Sequence, residues 1–462
     1  MKIFINFKNI ASTILRKLSL SRESKIRLKN QVKKLKKINL KRLSFTGIPL
    51  VAVIVVFIMV LNSIFSDEVV VKVFAQELMK EITPQKVQTV ELKDNFIQST
   101  SDFSVDLFKQ SYTKGKNSLV SPTSAYLALG MTANGADGNT LKEFETLLGK
   151  YSINIKDLNT YYGTISKRFT KSDTSKLYIA NSIWYKENLD IKKDFLQINA
   201  DYYNTGAYKT DFNNQKTIKY VNNWVKRSTD NTISKLIDKV DASTVMNLIN
   251  AVYFQAQWKK LYEANDIRKD YFMLEGGAKQ SVTFMHSSED WYLKDDQVEG
   301  FIKPYKNEKY SFVALLPNET VNIDSYINSL TGESFVKLLK SKSKETVAAT
   351  LPKFKAEDKI QLIEPLKKMG LKDCFDAGKA NFTKMVSSNP GGVFVRDILH
   401  KTTITVDAEG TKAATSTEVE LARGEVTSTA PHNITLNRAF VYAIIDNETN
   451  LPLFIGTVIK PQ

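Results

Sequence analysis

The 462-residue chain is poor in the residues that organise many catalytic and metal centres: it has one cysteine, Cys374, and three histidines, His286, His400 and His432. A lone cysteine excludes an intramolecular disulfide and a cysteine-based zinc cluster. No HExxH or paired His/Cys spacing occurs, so no metal is implied. No glycine-rich phosphate loop is present, so no cofactor is implied either. Hydrophobic and aromatic content are ordinary for a globular protein. Length alone suggests two or three domains.

Net charge is almost absent from most of the chain, although the total is +16. Residues 1–46 hold 14 Lys or Arg and one acid, Glu23, a balance of +13. The other 416 residues carry 51 basic and 48 acidic side chains, a balance of +3. The basicity belongs to a tail. Beyond it, Arg42 and Asp67 bracket 24 uncharged residues with an aliphatic centre, IPLVAVIVVFIMVL. As a helix these would reach roughly 36 Å, enough to cross a hydrocarbon core. The positive flank would keep the N-terminus cytoplasmic and everything after Asp67 outside. The expectation is a basic cytoplasmic tail over 1–46, a single-pass cell-membrane anchor over 47–66, a stalk over 67–92 and an extracellular folded body over 93–462. Two alternatives compete. One is a signal peptide cleaved near Val73-Phe74-Ala75. The other is a nucleic-acid arm using Lys33, Lys34, Lys36 and Lys37. Topology explains the same charge, so nucleic acid is not an expected partner.

Along the body, helices are expected over 95–110, from Ser121-Pro122 through Met131, over 141–148, over 191–203 and over 217–227. Apolar, β-rich runs predict strands at 176–184, within 246–258, and at 310–316, 346–354, 402–406, 440–445 and 453–458. Strands concentrate late in the chain. That suggests an α+β fold with large sheets rather than a doubly wound array.

One stretch fits neither loop nor strand. Residues 407–431, DAEGTKAATSTEVELARGEVTSTAP, are too long for a routine connection. Yet from Thr411 to Leu421 small or apolar residues alternate with Lys412, Ala414, Ser416, Glu418 and Glu420, the period of a half-buried strand. Either this is an ordinary hairpin strand with a ragged turn, or it is exposed in one state and part of a sheet in another.

NSLVSPTS at 117–124, the GADGNT stretch within 134–148, NSIW at 181–184, NNWV at 222–225 and NAVYF at 250–254 with Trp258 beyond resemble successive segments of the serpins. So do LPKF at 351–354, EPL at 364–366, His400-Lys401 followed by EGT at 409–411, and NRAF at 437–440, where Ala439 replaces a usual proline. Each piece is weak alone, but their order over residues 95–460 is specific. The chain is similar to a bacterial-type serpin with an N-terminal anchor.

The resemblance implies a single α+β domain of three β-sheets and about nine helices with an exposed reactive-centre loop. It implies a protease inhibitor, not an enzyme, acting as a monomer. A protease cuts the loop and forms an acyl-enzyme. The freed loop then inserts into the main sheet, moving its leading end some 45 Å for about 14 residues. Gly410 and Thr411 would begin the hinge, and Ala413, Ala414, Thr415, Ser416 and Thr417 would continue it with the small residues that favour insertion. Lys412 departs from a usual Glu but falls on the outward face. The commonest family spacing from Thr411 puts the cut after Gly424. One residue shorter puts it after Arg423, and this is favoured, because Arg suits the acidic pocket of trypsin-like serine proteases while Gly offers a pocket nothing to grip. The reactive bond is therefore assigned to Arg423, Gly424 and Glu425, with cysteine proteases open as a second target class. Ser121, Ser124, Asn250 and His400 would form the polar shutter beneath the main sheet. Trp258 and Lys353 would lie at the breach where insertion starts. Many serpins pair the latter lysine with a Glu at the position of Ala408. Here the acid is shifted to Glu409, so that pair should be missing, unless another acid replaces it. The rivals are a hydrolase built on Ser121, for which no nucleophile elbow exists, and a non-inhibitory serpin serving as a binding or structural module.

Overall fold

The computed structural model describes residues 75–168, 175–387, 392–411 and 430–461. The chain divides into two compact units, Met1–Gln76 and Glu77–Gln462. Of the first unit only Ala75 and Gln76 are described, so the basic tail and the expected anchor at 47–66 lie outside the described residues. Among the described residues no helix is long and apolar enough to cross a membrane. Even the 18-residue helix Asp94–Ser111 carries Asp94, Asp102, Asp106 and Lys109. The expected placement as a single-pass cell-membrane protein with an extracellular body is corrected on this ground.

Nine α-helices occur among the described residues. They are α1 (Asp94–Ser111), α2 (Pro122–Ala133), α3 (Gly138–Leu148), α4 (Ile155–Arg168), α5 (Lys193–Tyr203), α6 (Lys216–Ser228), α7 (Ile323–Ser329), α8 (Gly332–Lys340) and α9 (Ile363–Lys368). The strands run from β1 (Ala75–Glu77) and β2 (Ser118–Val120) to β3 (Ser175–Lys186), β4 (Gly206–Thr210), β5 (Met246–Gln257), β6 (Ile267–Met273) and β7 (Lys279–Glu289). Next come β8 (Trp291–Lys294), β9 (Val298–Pro304), β10 (Tyr310–Pro317), β11 (Val347–Pro352) and β12 (Phe354–Gln361). The last are β13 (Val395–Val406), β14 (Gly410–Thr411), β15 (His432–Thr435), β16 (Phe440–Asp446) and β17 (Pro452–Val458).

Within the larger unit the main sheet runs β4-β3-β5-β14-β13-β12. A second sheet runs β2-β17-β16-β10-β9-β8, and a third runs β15-β11-β7-β6. Strands β10, β16 and β17 are buried at every position. Their uninterrupted apolar runs are therefore those of central strands covered on both faces. Helix α2 is likewise buried at all positions, as expected of a helix with no polar side. Pro122 sits in its first turn, where a missing N–H costs nothing. Ser121 occupies the cap position but does not cap. Its hydroxyl donates to the Leu453 carbonyl at 2.7 Å, tying the helix start to β17. Helix α6 lies on the main sheet through Trp224, whose ring meets those of Trp184 and Tyr208 edge-on.

Residues 78–90, expected as part of a stalk, bond to the body. Leu78 N donates to the Ala207 carbonyl at 2.8 Å, Gln197 Nε2 to the Thr83 carbonyl at 2.9 Å, and Val90 N to Thr164 Oγ1 at 3.1 Å.

Candidate functional site

Two places in the main sheet gather the residues singled out above. The first is the junction of β5 and β13. These strands pair in parallel, with Asn250 opposite His400. The Ser121 N–H donates to His400 Nε2 at 3.0 Å, so the imidazole carries its proton on Nδ1, facing Asn250 Oδ1. Asn250 Nδ2 in turn donates to the Ser124 carbonyl at 3.0 Å and also meets Ser124 Oγ and Asn181 Oδ1. Ser124, Asn250 and His400 are each wholly buried. Complete burial drives the His400 pKa down to about 3, because a charged imidazole cannot be solvated there. The residue is neutral and serves as a crosspiece joining β5, β13 and the start of α2. Thr402, also on β13, donates from Oγ1 to the Leu119 carbonyl at 2.8 Å. Asn181 and Thr402 were not singled out from sequence, since nothing local marks a strand Asn or Thr as buried in a network.

The second place lies at the upper end of the same two strands. There β14 enters between them: Gly410 and Thr411 pair with Gln257 and Ala256 of β5, and Thr411 pairs with Val406 of β13. Below this wedge β5 and β13 bond directly to each other. Gly410 has φ +155°, and a Cβ there would lie 1.9 Å from the Ala256 carbonyl oxygen, so only glycine fits. Thr411 is buried and shares a 2.7 Å hydrogen bond between its hydroxyl and that of Tyr305.

Trp258 is 1% exposed and stacks on Tyr305 at 4.6 Å and 7°. Its indole Nε1 donates to the Asp407 carbonyl at 2.8 Å, and its backbone N–H to the Glu409 carbonyl at 3.0 Å. Tyr262 N donates to the intervening Ala408 carbonyl at 3.3 Å. Asp407 Oδ1 closes the turn by accepting from the N–H groups of Glu409 and Gly410 at 2.9 and 3.2 Å. Ala408 packs half-buried on the apolar cluster that includes Trp258 and Tyr262. Among the described residues Lys353 makes no ion pair; its backbone N–H donates to the Thr283 carbonyl at 2.8 Å. Ala413, Ala414, Thr415, Ser416, Thr417, Arg423, Gly424 and Glu425 lie outside the described residues.

His286 and His432, given no role from sequence, belong to the third sheet. Arg268 Nε donates to His286 Nε2 at 2.8 Å, while His432 stacks on Tyr292 and meets Glu345 at 2.8 Å. Among the described residues no group of His, Cys, Asp and Glu could hold a metal ion.

The family model described as "Serpin (serine protease inhibitor)" matches residues 98–461. Intracellular coagulation inhibitor 2 of Tachypleus tridentatus is 30% identical over 379 residues, covering 79% of this chain and 91% of that protein. Among solved structures, the thermophilic serpin Tengpin in its native state is 45% identical, with a TM-score of 0.79, covering 84% of this chain and all of that one. Tengpin in its latent state is 44% identical with a TM-score of 0.72, covering 81% of this chain and all of that one. These likenesses assign neither a bacterial subtype nor an N-terminal anchor.

Proposed function

Because the chain belongs to the serpin family, a family generally of protease inhibitors rather than enzymes, we infer that it is a suicide inhibitor of proteases whose cleaved loop becomes a new strand between β5 and β13. One observation carries this reading. The loop's first two residues, Gly410 and Thr411, already sit between those strands, which bond directly to each other below. Among the described residues the main sheet thus has the start of a strand at β14 and, below it, β5 and β13 closed on each other. While the loop is held at both ends its advance is slow, because the tether at its far end must give way before more of it can enter. Cutting it frees one end, and each residue that enters adds backbone hydrogen bonds worth about 0.5–1.5 kcal/mol net apiece. The likeness to native Tengpin, at a TM-score of 0.79 against 0.72 for the latent form, accords with the direct pairing of β5 with β13.

In this reading Ala413, Ala414, Thr415, Ser416 and Thr417 are the advancing hinge, small enough to pass the closing strands. The bond cut is Arg423–Gly424, with Glu425 following it, and the target is a trypsin-like serine protease that grips Arg423 through a charge-assisted fork. The attacking serine opens the Arg423–Gly424 peptide bond, releases the amine of Gly424 and leaves an ester to Arg423. Insertion then drags that ester and its protease across the sheet. Distortion that removes one oxyanion-hole donor slows a protease roughly 10²–10³-fold, and hydrolysis of the ester stalls. His400 and Asn250 must part to let the strand through, so Ser121, Ser124, Asn250 and His400 set the resistance to opening.

The test is incubation with a panel of serine and cysteine proteases, followed by denaturing electrophoresis and mass measurement of the released C-terminal fragment. The expected result is a denaturation-resistant complex with a trypsin-like enzyme and a fragment beginning at Gly424. Loop cleavage without any complex would replace this reading with a non-inhibitory, binding role. A complex only with cysteine proteases would move the target class.

A further inference from the structure

One ion pair is buried more deeply than every other among the described residues. Lys303 Nζ on β9 lies 2.7 Å from Glu289 Oε1 at the end of β7, with side chains 1% and 3% exposed. Each other pair described has at least one partner 42% or more exposed. Burial pulls the Lys303 pKa down and Glu289 opposes that pull. Glu289 also accepts from Ser287 Oγ at 2.6 Å. Such a pair is a poor source of stability, because removing two ions from water costs several kcal/mol each and an apolar pair of like volume often does as well. Its presence calls for an explanation other than strength.

The surroundings supply one. The Lys303 ammonium lies 4.3 Å from the Tyr262 ring centroid and 5.4 Å from that of Trp258. A cation desolvated over two aromatic faces fixes where those rings stand. These are the two residues whose N–H groups hold the successive carbonyls of Asp407, Ala408 and Glu409, directly before the inserted Gly410. A single path of contacts therefore runs from Glu289 through Lys303 and the two rings to the root of the loop.

Resting on the inhibitor reading above, we propose that the Glu289–Lys303 pair is a latch that positions Trp258 and Tyr262 against residues 407–409 and thereby sets how readily a strand enters between β5 and β13. It does the work that an acid at position 408 would share with Lys353, which here has no ion-pair partner among the described residues. Glu289 and Lys303 are positioning residues: they touch neither the loop's cut bond nor the protease.

The test uses the full chain and the double variant Glu289→Ala/Lys303→Met, which removes both charges together. Leu338→Ala, in α8 and remote from the latch, serves as a control, with temperature adjusted so that both proteins stand equally far from melting. The readout is the rate at which uncleaved protein takes up a synthetic peptide with the sequence of residues 411–421. The double variant is expected to take it up about tenfold faster than both the wild type and the control, within the ordinary range of conformational coupling of about 5–150-fold. Uptake within about twofold of the control, below that range, overturns the latch. If the double variant does not fold, Tyr262→Leu, which keeps both charges and removes one ring, carries the same expectation and the same threshold. Wild-type protein cut in its loop is melted alongside. If it gains no heat resistance, the inhibitor reading itself fails; if it gains resistance while peptide uptake is unchanged in the variant, only the latch fails.

Discussion

His400 on β13 and Asn250 on β5 face each other as register partners, joined from imidazole Nδ1–H to amide Oδ1, at the place where the two strands would have to separate. Neither side chain has water to fall back on, since both are wholly buried. Any event that opens the sheet must either re-form this contact elsewhere or leave polar groups unpaired.

The neutral state of His400 makes stability depend on pH. In the unfolded chain the imidazole takes up a proton below its ordinary value of 6.5, whereas in the folded protein it does so only near 3. Between those values the unfolded state binds more protons, so stability falls as pH falls from 6.5, by up to about 1.4 kcal/mol per pH unit. Above 6.5 the group contributes no slope. Urea melts of wild type and His400→Gln at successive pH values should show a shallower decline in the variant between pH 6.5 and 4. His286, whose pKa is also lowered by burial and by Arg268, remains in both proteins. Identical slopes would refute the assignment.

Asn250→Ala removes the hub of the same network. It takes away the acceptor of the buried His400 Nδ1–H and the amide donor that Asn181 Oδ1 and Ser124 Oγ meet. The expected loss is about 1–3 kcal/mol for each group left unsatisfied, read from the urea midpoint. The variant should also pass, uncleaved, to a heat-resistant inactive form faster than wild type. Wild-type stability in the variant would show that the network closes without Asn250.

Gly410→Ala places a methyl carbon 1.9 Å from the Ala256 carbonyl oxygen. The atoms it meets are all backbone of Ala256 and Gln257 in β5, which cannot swing aside as a side chain could, so β14 must leave its seat, at a cost of about 1–3 kcal/mol typical of overpacking. Hydrogen exchange should quicken at the Trp258 amide, which donates to the Glu409 carbonyl, while β16 and β17 keep their protection. Unchanged protection at Trp258 would mean that β14 tolerates the methyl where it stands.

Cys374 offers a probe of global opening. It is 1% exposed, and burial pushes its thiol pKa well above the ordinary value. A thiol that is neither accessible nor ionised does not react. In native buffer at pH 8 an aromatic disulfide reagent should modify it no faster than the protein unfolds. Rapid modification would reveal local opening around α9 and the residues that follow it.

Much of the architecture was legible because it rests on local patterns. The uninterrupted apolar runs at 440–445 and 453–458 appear as β16 and β17, and the run at 176–184 lies within β3. Strand β12 escaped notice: its sequence, FKAEDKIQ, is largely charged, because it lies at the sheet's edge with much of its surface exposed. Strand β13 starts at Val395, before the expected 402, since its first half is recruited by pairing with β5 rather than by its own composition. The cluster of Ser121, Ser124, Asn250 and His400 was reached through family resemblance. Trp258 was named for the same reason, but its three-carbonyl neighbourhood with Tyr262 was not foreseen. The Glu289–Lys303 pair carried no local signal at all, for both residues look like ordinary strand-end charges until burial is known.

The order of its segments made the fold readable from the amino acids alone, since it depends on residue type and near neighbours. Tertiary structure decided the neutrality of His400, the closure of β5 on β13 and the burial of Lys303 against Glu289. Those depend on loss of water and on contacts between residues far apart in the chain, and no local pattern encodes either.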